Sequence, residues 1–213
     1  MRIIEYDFEF DNAEMRGGVG LAYSNPTPRS SHLPHVSDII RDLENTITKP
    51  GQRSKDSDIS DTDRERLNRY REMGFMWELV VEETWKRRMQ QRRAGDLISQ
   101  VEIEYDGILM TPDGLYIPDW CNEEYKATWR SMKRASPESI QAEFWAWFVQ
   151  MKSYCLGQGT NLSRLFVFFV NGNYAPMVPR SKRFDIEFTD QDLSENWLMI
   201  KQHERHMRLQ GRL

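Results

Sequence analysis

Residues 2–10 set Ile4, Tyr6, Phe8 and Phe10 against charged neighbours, the two-residue alternation of an edge strand or a short arm. Residues 16–34 gather Gly, Ser, Pro and Asn and read as a loop. Ser37, ahead of Asp38, Ile39, Ile40 and Leu43, is placed to cap a helix. From Lys49 to Arg64 the chain is polar and turns on Pro50-Gly51, which predicts a second loop. Leu67, Tyr70, Met73, Trp77, Val80, Val81 and Trp85 then recur at helical spacing and predict a long helix from Asp63 to Arg92. Val101 to Tyr105 alternates as a strand, Ile108 to Ile117 supplies one or two more, and Glu124 to Trp129 another. Pro137 to Leu156 reads as a helix, with Pro in its first turn and Gly157 past its end. Leu165 to Val170 is a buried strand, and Asn171-Gly172 turns the chain into a hairpin partner over Tyr174 to Val178. Residues 190–209 form a polar C-terminal helix. The order of elements predicts an α/β (α+β) fold, one domain with a mixed central sheet flanked by helices. It divides into an N-terminal arm, short helix and flexible loop (1–65), a core (66–190) and a C-terminal helix (191–213).

Composition narrows this picture. The 213 residues suffice for one domain with a full core and are few for two. An aromatic content of 12%, with seven Trp, excludes a chain disordered throughout. No apolar run approaches the roughly 20 residues of a membrane span, and the acidic, alternating N-terminus is unlike a signal peptide. Two cysteines, Cys121 and Cys155, are too few for a disulfide framework or a four-thiolate cluster. A soluble, cytoplasmic protein is expected. The net charge of −4 argues against wrapping nucleic acid by bulk electrostatics. Local basic runs remain: 86–88 with Arg92 and Arg93, then Arg130, Lys133 and Arg134, then Arg180, Lys182 and Arg183. Each alone reads as a solvated face; around an acidic centre they would form a rim that guides DNA.

The chemistry concentrates between Gly107 and Lys126. Asp113 sits in a Pro-Asp-Gly turn after a strand, and Glu124 and Lys126 follow, two residues apart. That spacing puts the Glu124 carboxylate and Lys126 ammonium on one strand face. If the strands pair as a hairpin, Asp113 comes beside them. Converging carboxylates repel unless a divalent cation lies between them, and Mg²⁺ takes hard oxygen ligands while keeping waters. A neighbouring Lys can orient such a water or steady developing negative charge. Asp119 also follows a Pro, but its five-residue distance to Glu124 leaves little room for a turn and a returning strand, so Asp113 is preferred. Glu123 lacks the two-residue spacing to Lys126. Thr128, Trp129 and Arg130 follow the Lys and are candidates for phosphate contact or base stacking, with core packing the plainer role for Trp129.

Pro112-Asp113 followed by Glu124-Tyr125-Lys126 resembles the signature of the PD-(D/E)XK nucleases, whose restriction-endonuclease-like fold is a mixed sheet with flanking helices. Gly74-Phe-Met-Trp-Glu78 is similar to the Gly-x-x-x-Glu helix of RecB-like and phage-recombination-type exonucleases, with Glu82 one turn along as the competing acid. Gln150-Met-Lys-Ser-Tyr154 is similar to the Gln-x-x-x-Tyr motif of the same branch; its i, i+4 spacing puts amide and phenol on one helical face. The motifs stand in the family's order across residues 74–154. The resemblance implies a DNA-cleaving enzyme that uses Mg²⁺ or Mn²⁺. Glu78, Asp113, Glu124 and the Tyr125 carbonyl would be metal ligands, Lys126 would act on the nucleophile, and Gln150 and Tyr154 would support the site. It further implies exonucleolytic processing of DNA ends or single strands in recombination or repair, as in phage, with a single-strand annealing protein or a homo-oligomer as partner. Alternatives are a structure-selective endonuclease, a nuclease-fold protein that binds DNA without cutting, and a packaging accessory.

Overall fold

The computed structural model describes residues 1–7, 32–48, 76–77, 97–99, 101–173 and 180–213. Six strands form one sheet: β1 (Arg2–Asp7), β2 (Leu97–Ser99), β5 (Gly114–Tyr116), β6 (Cys121–Thr128), β7 (Leu162–Phe169) and β8 (Arg180–Glu187). Their order is β1-β8-β7-β6-β5-β2. All neighbours are antiparallel except β6 and β7, which run parallel with Glu124 beside Leu165 and Lys126 beside Val167. A parallel pair needs a long crossover. Here it passes through a 3₁₀ turn (Met132–Arg134), α2 (Ile140–Glu143) and α3 (Trp145–Gln158). The other helices are α1 (Val36–Thr48) and α4 (Asp190–Leu209), and β3 (Ile103–Tyr105) and β4 (Ile108–Met110) make a separate hairpin. Its turn, Asp106-Gly107, has both φ values positive (50° and 74°), the geometry that matches the twist of a two-residue hairpin.

Alternation along the strands decides what packs where. Leu165, Val167, Phe169, Phe184 and Ile186 point to one face and pack against Phe148, Met151 and Cys155 of α3. On the opposite face Tyr125 and Phe166 meet Trp77, which stacks on Phe168 at 4.7 Å. Helical residues therefore cover both sides of the mixed sheet, as the sequence pattern predicts. A second core joins Ile39 and Ile40 of α1, Ile108 and Met110 of β4, Val149 and Tyr154 of α3, and Trp197 and Ile200 of α4. Buried against the sheet and against two helices, α3 is apolar over most of its circumference. The strand and helix placed in the N-terminal segment are built into this body, β1 as an edge of the sheet and α1 against α3 and α4.

Several boundaries differ from the sequence pattern. The predicted helix over 137–156 is interrupted at Phe144 (φ −123°, ψ 43°), whose buried ring stacks on Trp147 at 4.1 Å. It ends at Gly159 in the left-handed region (φ 67°), not at Gly157. Gly157 lies inside the helix, where an added Cβ would stand 2.6 Å from the Met110 side chain. The antiparallel partner of β7 is β8, Arg180 to Glu187; residues 174–178 lie outside the described residues. The loops over 16–31 and 49–64 and most of the predicted helix over 63–92 lie outside them too, and only Met76 and Trp77 of that helix are described, both helical.

The C-terminal helix opens on a complete capping box. Thr189 Oγ1 accepts the Asp192 N–H at 3.1 Å, and Asp192 Oδ2 accepts the Thr189 N–H at 2.9 Å. The N-terminal ammonium of Met1 reaches the same carboxylate at 3.1 Å. Burial pushes the Asp192 carboxyl up, but these donors outweigh it and hold the group at about 2. A depressed carboxyl stabilises the fold above its unfolded value of 3.8 and loses that contribution as pH falls through about 2. Thr189→Ala is expected to cost about 1 kcal/mol at pH 7 by chemical denaturation. Asp192→Asn should destabilise at pH 7 and converge on the wild type near pH 2.

Candidate active site

Strand β5 is three residues long, and its pairing with β6 begins at Gly114 opposite Glu123. Among the described residues, no strand lies opposite the next β6 amide turned to that side, Tyr125 N–H. Asp113, the residue before β5, takes its place: its Oδ2 accepts the Tyr125 N–H at 2.8 Å. The Pro-Asp-Gly turn thus delivers a carboxylate into the gap where the ladder stops. The N–H and C=O of one strand residue leave on the same side, so the Tyr125 carbonyl opens toward the same gap. Glu124 and Lys126 share the β6 face turned to α3, and the Lys126 ammonium is paired with Glu124 Oε1. Glu124 is fully buried, whereas the Lys126 side chain keeps 19% exposure. The site is buried at its carboxylate and open at its cation.

Burial dominates the electrostatics of Asp113. It raises the carboxyl above the ordinary 3.8, against the Lys126 charge and the Tyr125 N–H, which both act to lower it. Asp113, Glu124 and Lys126 together carry one net negative charge when all are ionised. Two carboxylates and a main-chain oxygen are hard donors that fit Mg²⁺ or Mn²⁺ with waters completing the shell. Among the described residues no group of three His, Cys, Asp or Glu side chains converges. The third predicted acid, Glu78, and its competitor Glu82 lie outside the described residues.

The remaining predicted residues separate clearly. Gln150 Nε2 donates to the Tyr154 hydroxyl at 2.6 Å, so the two do share a face of α3, and Tyr154 is buried among Ile108, Met110 and Val149. Asp119 occupies the turn between β5 and β6, pairs with Arg164, and lies away from Lys126 on the other side of the sheet. Glu123 points to that far face and accepts the Tyr125 hydroxyl at 2.7 Å. Arg130 and Arg134 lie just past β6 and share one carboxylate, Glu143. Thr128 Oγ1 accepts the Arg130 N–H, and Trp129 is 42% exposed. His35 spends both ring nitrogens on Ser37 and Thr111, two residues before Asp113. Burial pushes the Cys121 thiol up to about 12 and Cys155 well above its usual value, as for inert thiols. The participants missed in the sequence are Arg164 and the Tyr125 hydroxyl; the register of β6 with β7 reveals them, and no short motif does.

No family model and no curated protein matches the chain. Solved structures similar to it over most of its length include the following two. SSO0001 is 13% identical, with a TM-score of 0.45, over 84% of this chain and 79% of the other. A phage-related exonuclease from Haemophilus somnus 129PT is 11% identical, with a TM-score of 0.44, over 82% of this chain and 83% of the other. Likenesses this distant leave fold and function to the chain's own sheet order and site geometry.

Because the Asp113 carboxyl is raised in the folded state, its contribution is present below 3.8 and is lost as pH rises through the folded value. In EDTA, Asp113→Asn should therefore gain stability relative to the wild type as pH increases from 3 to 8. Thermal unfolding reads the difference, with about 2–4 °C for each kcal/mol in a chain of this size. A wild-type advantage that grows with pH would contradict the burial of this carboxyl.

Proposed function

We propose that the chain is a metal-dependent deoxyribonuclease that hydrolyses phosphodiester bonds, an exonuclease acting on DNA ends in recombination or repair. The convergence of Asp113, Glu124 and Lys126 on the gap left by β5 carries this reading. Asp113, Glu124 and the Tyr125 carbonyl would hold Mg²⁺ or Mn²⁺, with Glu78 as a further ligand. When bound, the ion supplies an acidified water and a Lewis acid for the phosphoryl oxygens.

The other roles belong to the chain itself. The Lys126 ammonium donates to Glu124, and its positive charge would steady an attacking water or the charge that builds on phosphate. Its partial exposure lets a phosphate reach it without opening the core. Gln150 and Tyr154, tied to each other, would support α3 where it overlies β6. Arg130, Lys133 and Arg134 follow β6 directly, so a backbone entering along that strand meets cations first. A single-strand annealing protein or a second copy of the chain is the partner this activity suggests.

The test is digestion of end-labelled linear duplex, closed circular and single-stranded DNA in Mg²⁺, Mn²⁺ or EDTA. Metal-dependent loss of linear DNA with circles spared is expected. Lys126→Ala should lower the rate by roughly 10²–10⁴-fold, and Asp113→Asn or Glu124→Gln should remove activity. Cutting of circles would make it an endonuclease. DNA binding with no cleavage in any metal would refute the enzymatic reading and leave a binding module.

A further inference from the structure

Asp119 and Glu123, the two acids of the motif region that do not face Lys126, belong to one ion-pair network on the far side of the sheet, buried at Glu123 and open to solvent at Asp119. Glu123 is fully buried and accepts the Tyr125 hydroxyl at 2.7 Å. Arg164, its in-register neighbour on β7, approaches it at 3.5 Å. The same guanidinium pairs with Asp119 and stands 3.8 Å from Asp185, which Arg183 holds at 2.9 Å. A fully buried, charge-paired carboxylate such as Glu123 is an expensive way to fill space, since apolar side chains of similar volume stabilise as well or better. Orientation is what it adds.

The group it orients is Tyr125. This residue lies between Glu124 and Lys126, and it is the first on β6 whose amide turns to the β5 side beyond the last β5 pair. Its N–H is on Asp113 and its ring packs against Phe166, with centroids 5.5 Å apart. We propose that Glu123 and Arg164 are positioning residues that clamp Tyr125 through its hydroxyl from the far face, holding its amide on Asp113 and its carbonyl in the metal gap. The inference rests on the metal-dependent reading above. Groups that orient metal ligands at one remove typically change metal affinity or activity by about 10–100-fold when lost.

The experiment measures Mn²⁺ affinity of the full chain by isothermal titration calorimetry, beside thermal unfolding in EDTA and steady-state kinetics on linear duplex. Tyr125→Phe is expected to weaken Mn²⁺ binding roughly tenfold or more and to lower kcat with little change in KM for DNA. Glu123→Gln keeps an acceptor for the hydroxyl and should hold Mn²⁺ affinity near the wild type. Arg164→Lys keeps the charge but not the fork, and should weaken Mn²⁺ in the same direction; it carries the test if Tyr125→Phe does not fold. Variants that melt earlier yet bind Mn²⁺ and turn over like the wild type would overturn the proposal and leave a purely structural network. A wild type that binds no Mn²⁺ at all would instead remove the metal-dependent reading, and this inference with it. Asp113→Asn, run in parallel, separates the two cases, because it must abolish binding if the gap is the metal site.

Discussion

Everything chemical in this protein hangs on an amide that the sheet does not satisfy. A buried N–H without a partner costs as much as a lost hydrogen bond, so a strand that departs early must leave something in its place. Here β5 departs at Gly114 and a carboxylate fills the vacancy, Asp113 accepting from Tyr125. Ordinary backbone accounting thus brings an acid to within reach of Glu124 and Lys126 without a dedicated loop. With β5 gone, β6 is held from Tyr125 onward by its parallel neighbour, whose Leu165, Val167 and Phe169 anchor it to α3.

The alternation of side chains then sorts adjacent acids into different jobs. Glu123 and Glu124 are neighbours in sequence, both fully buried, yet they open to opposite faces. Glu124 meets Lys126 under α3, whereas Glu123 meets Tyr125 and Arg164 on the far side. A one-residue slip of β6 would exchange them and put the Glu124–Lys126 pair behind the sheet. Seven matched residue pairs with β7 and the aromatic packing of Tyr125, Phe166 and Trp77 make such a slip costly.

Much of this was legible in the sequence because it rests on short periods. Leu165 to Phe169 has no polar side chain to offer solvent, and it is the central strand; Glu124 and Lys126 stand two apart, and they do share a face. The Pro-Asp-Gly turn was readable as the bearer of Asp113 because only that acid has room for a returning strand before Glu124. What escaped depends on distant partners. Phe184 and Ile186 alternate with Arg183 and Asp185, but so many charges in one strand make it read as a basic run until β7 is seen beside it. Gly157 and Gly159 are equivalent helix stops by composition; only the approach of Met110 shows that the first is a packing contact and the second the cap. Arg164 carries no local mark at all, since its role is fixed by what lies beside it on β6.

The electrostatic balance explains why such a site is tolerated. Among the described residues, one ammonium for two acids leaves net negative charge where burial already resists ionisation. Left alone, that arrangement works against folding as pH rises, and the surrounding aromatic core must carry it. A divalent cation bound there, as proposed, would reverse the sign: it would turn the pair into a ligand set, and its binding free energy would become folding free energy. The far-face network makes sense on the same terms. Arg164 compensates Glu123, Asp119 and Asp185 on the far face, so among the described residues the unbalanced charge lies at the gap beside the part of β6 that β5 does not cover. Confinement is what distinguishes a binding centre from a generally acidic surface, and in this chain it follows from where one three-residue strand begins.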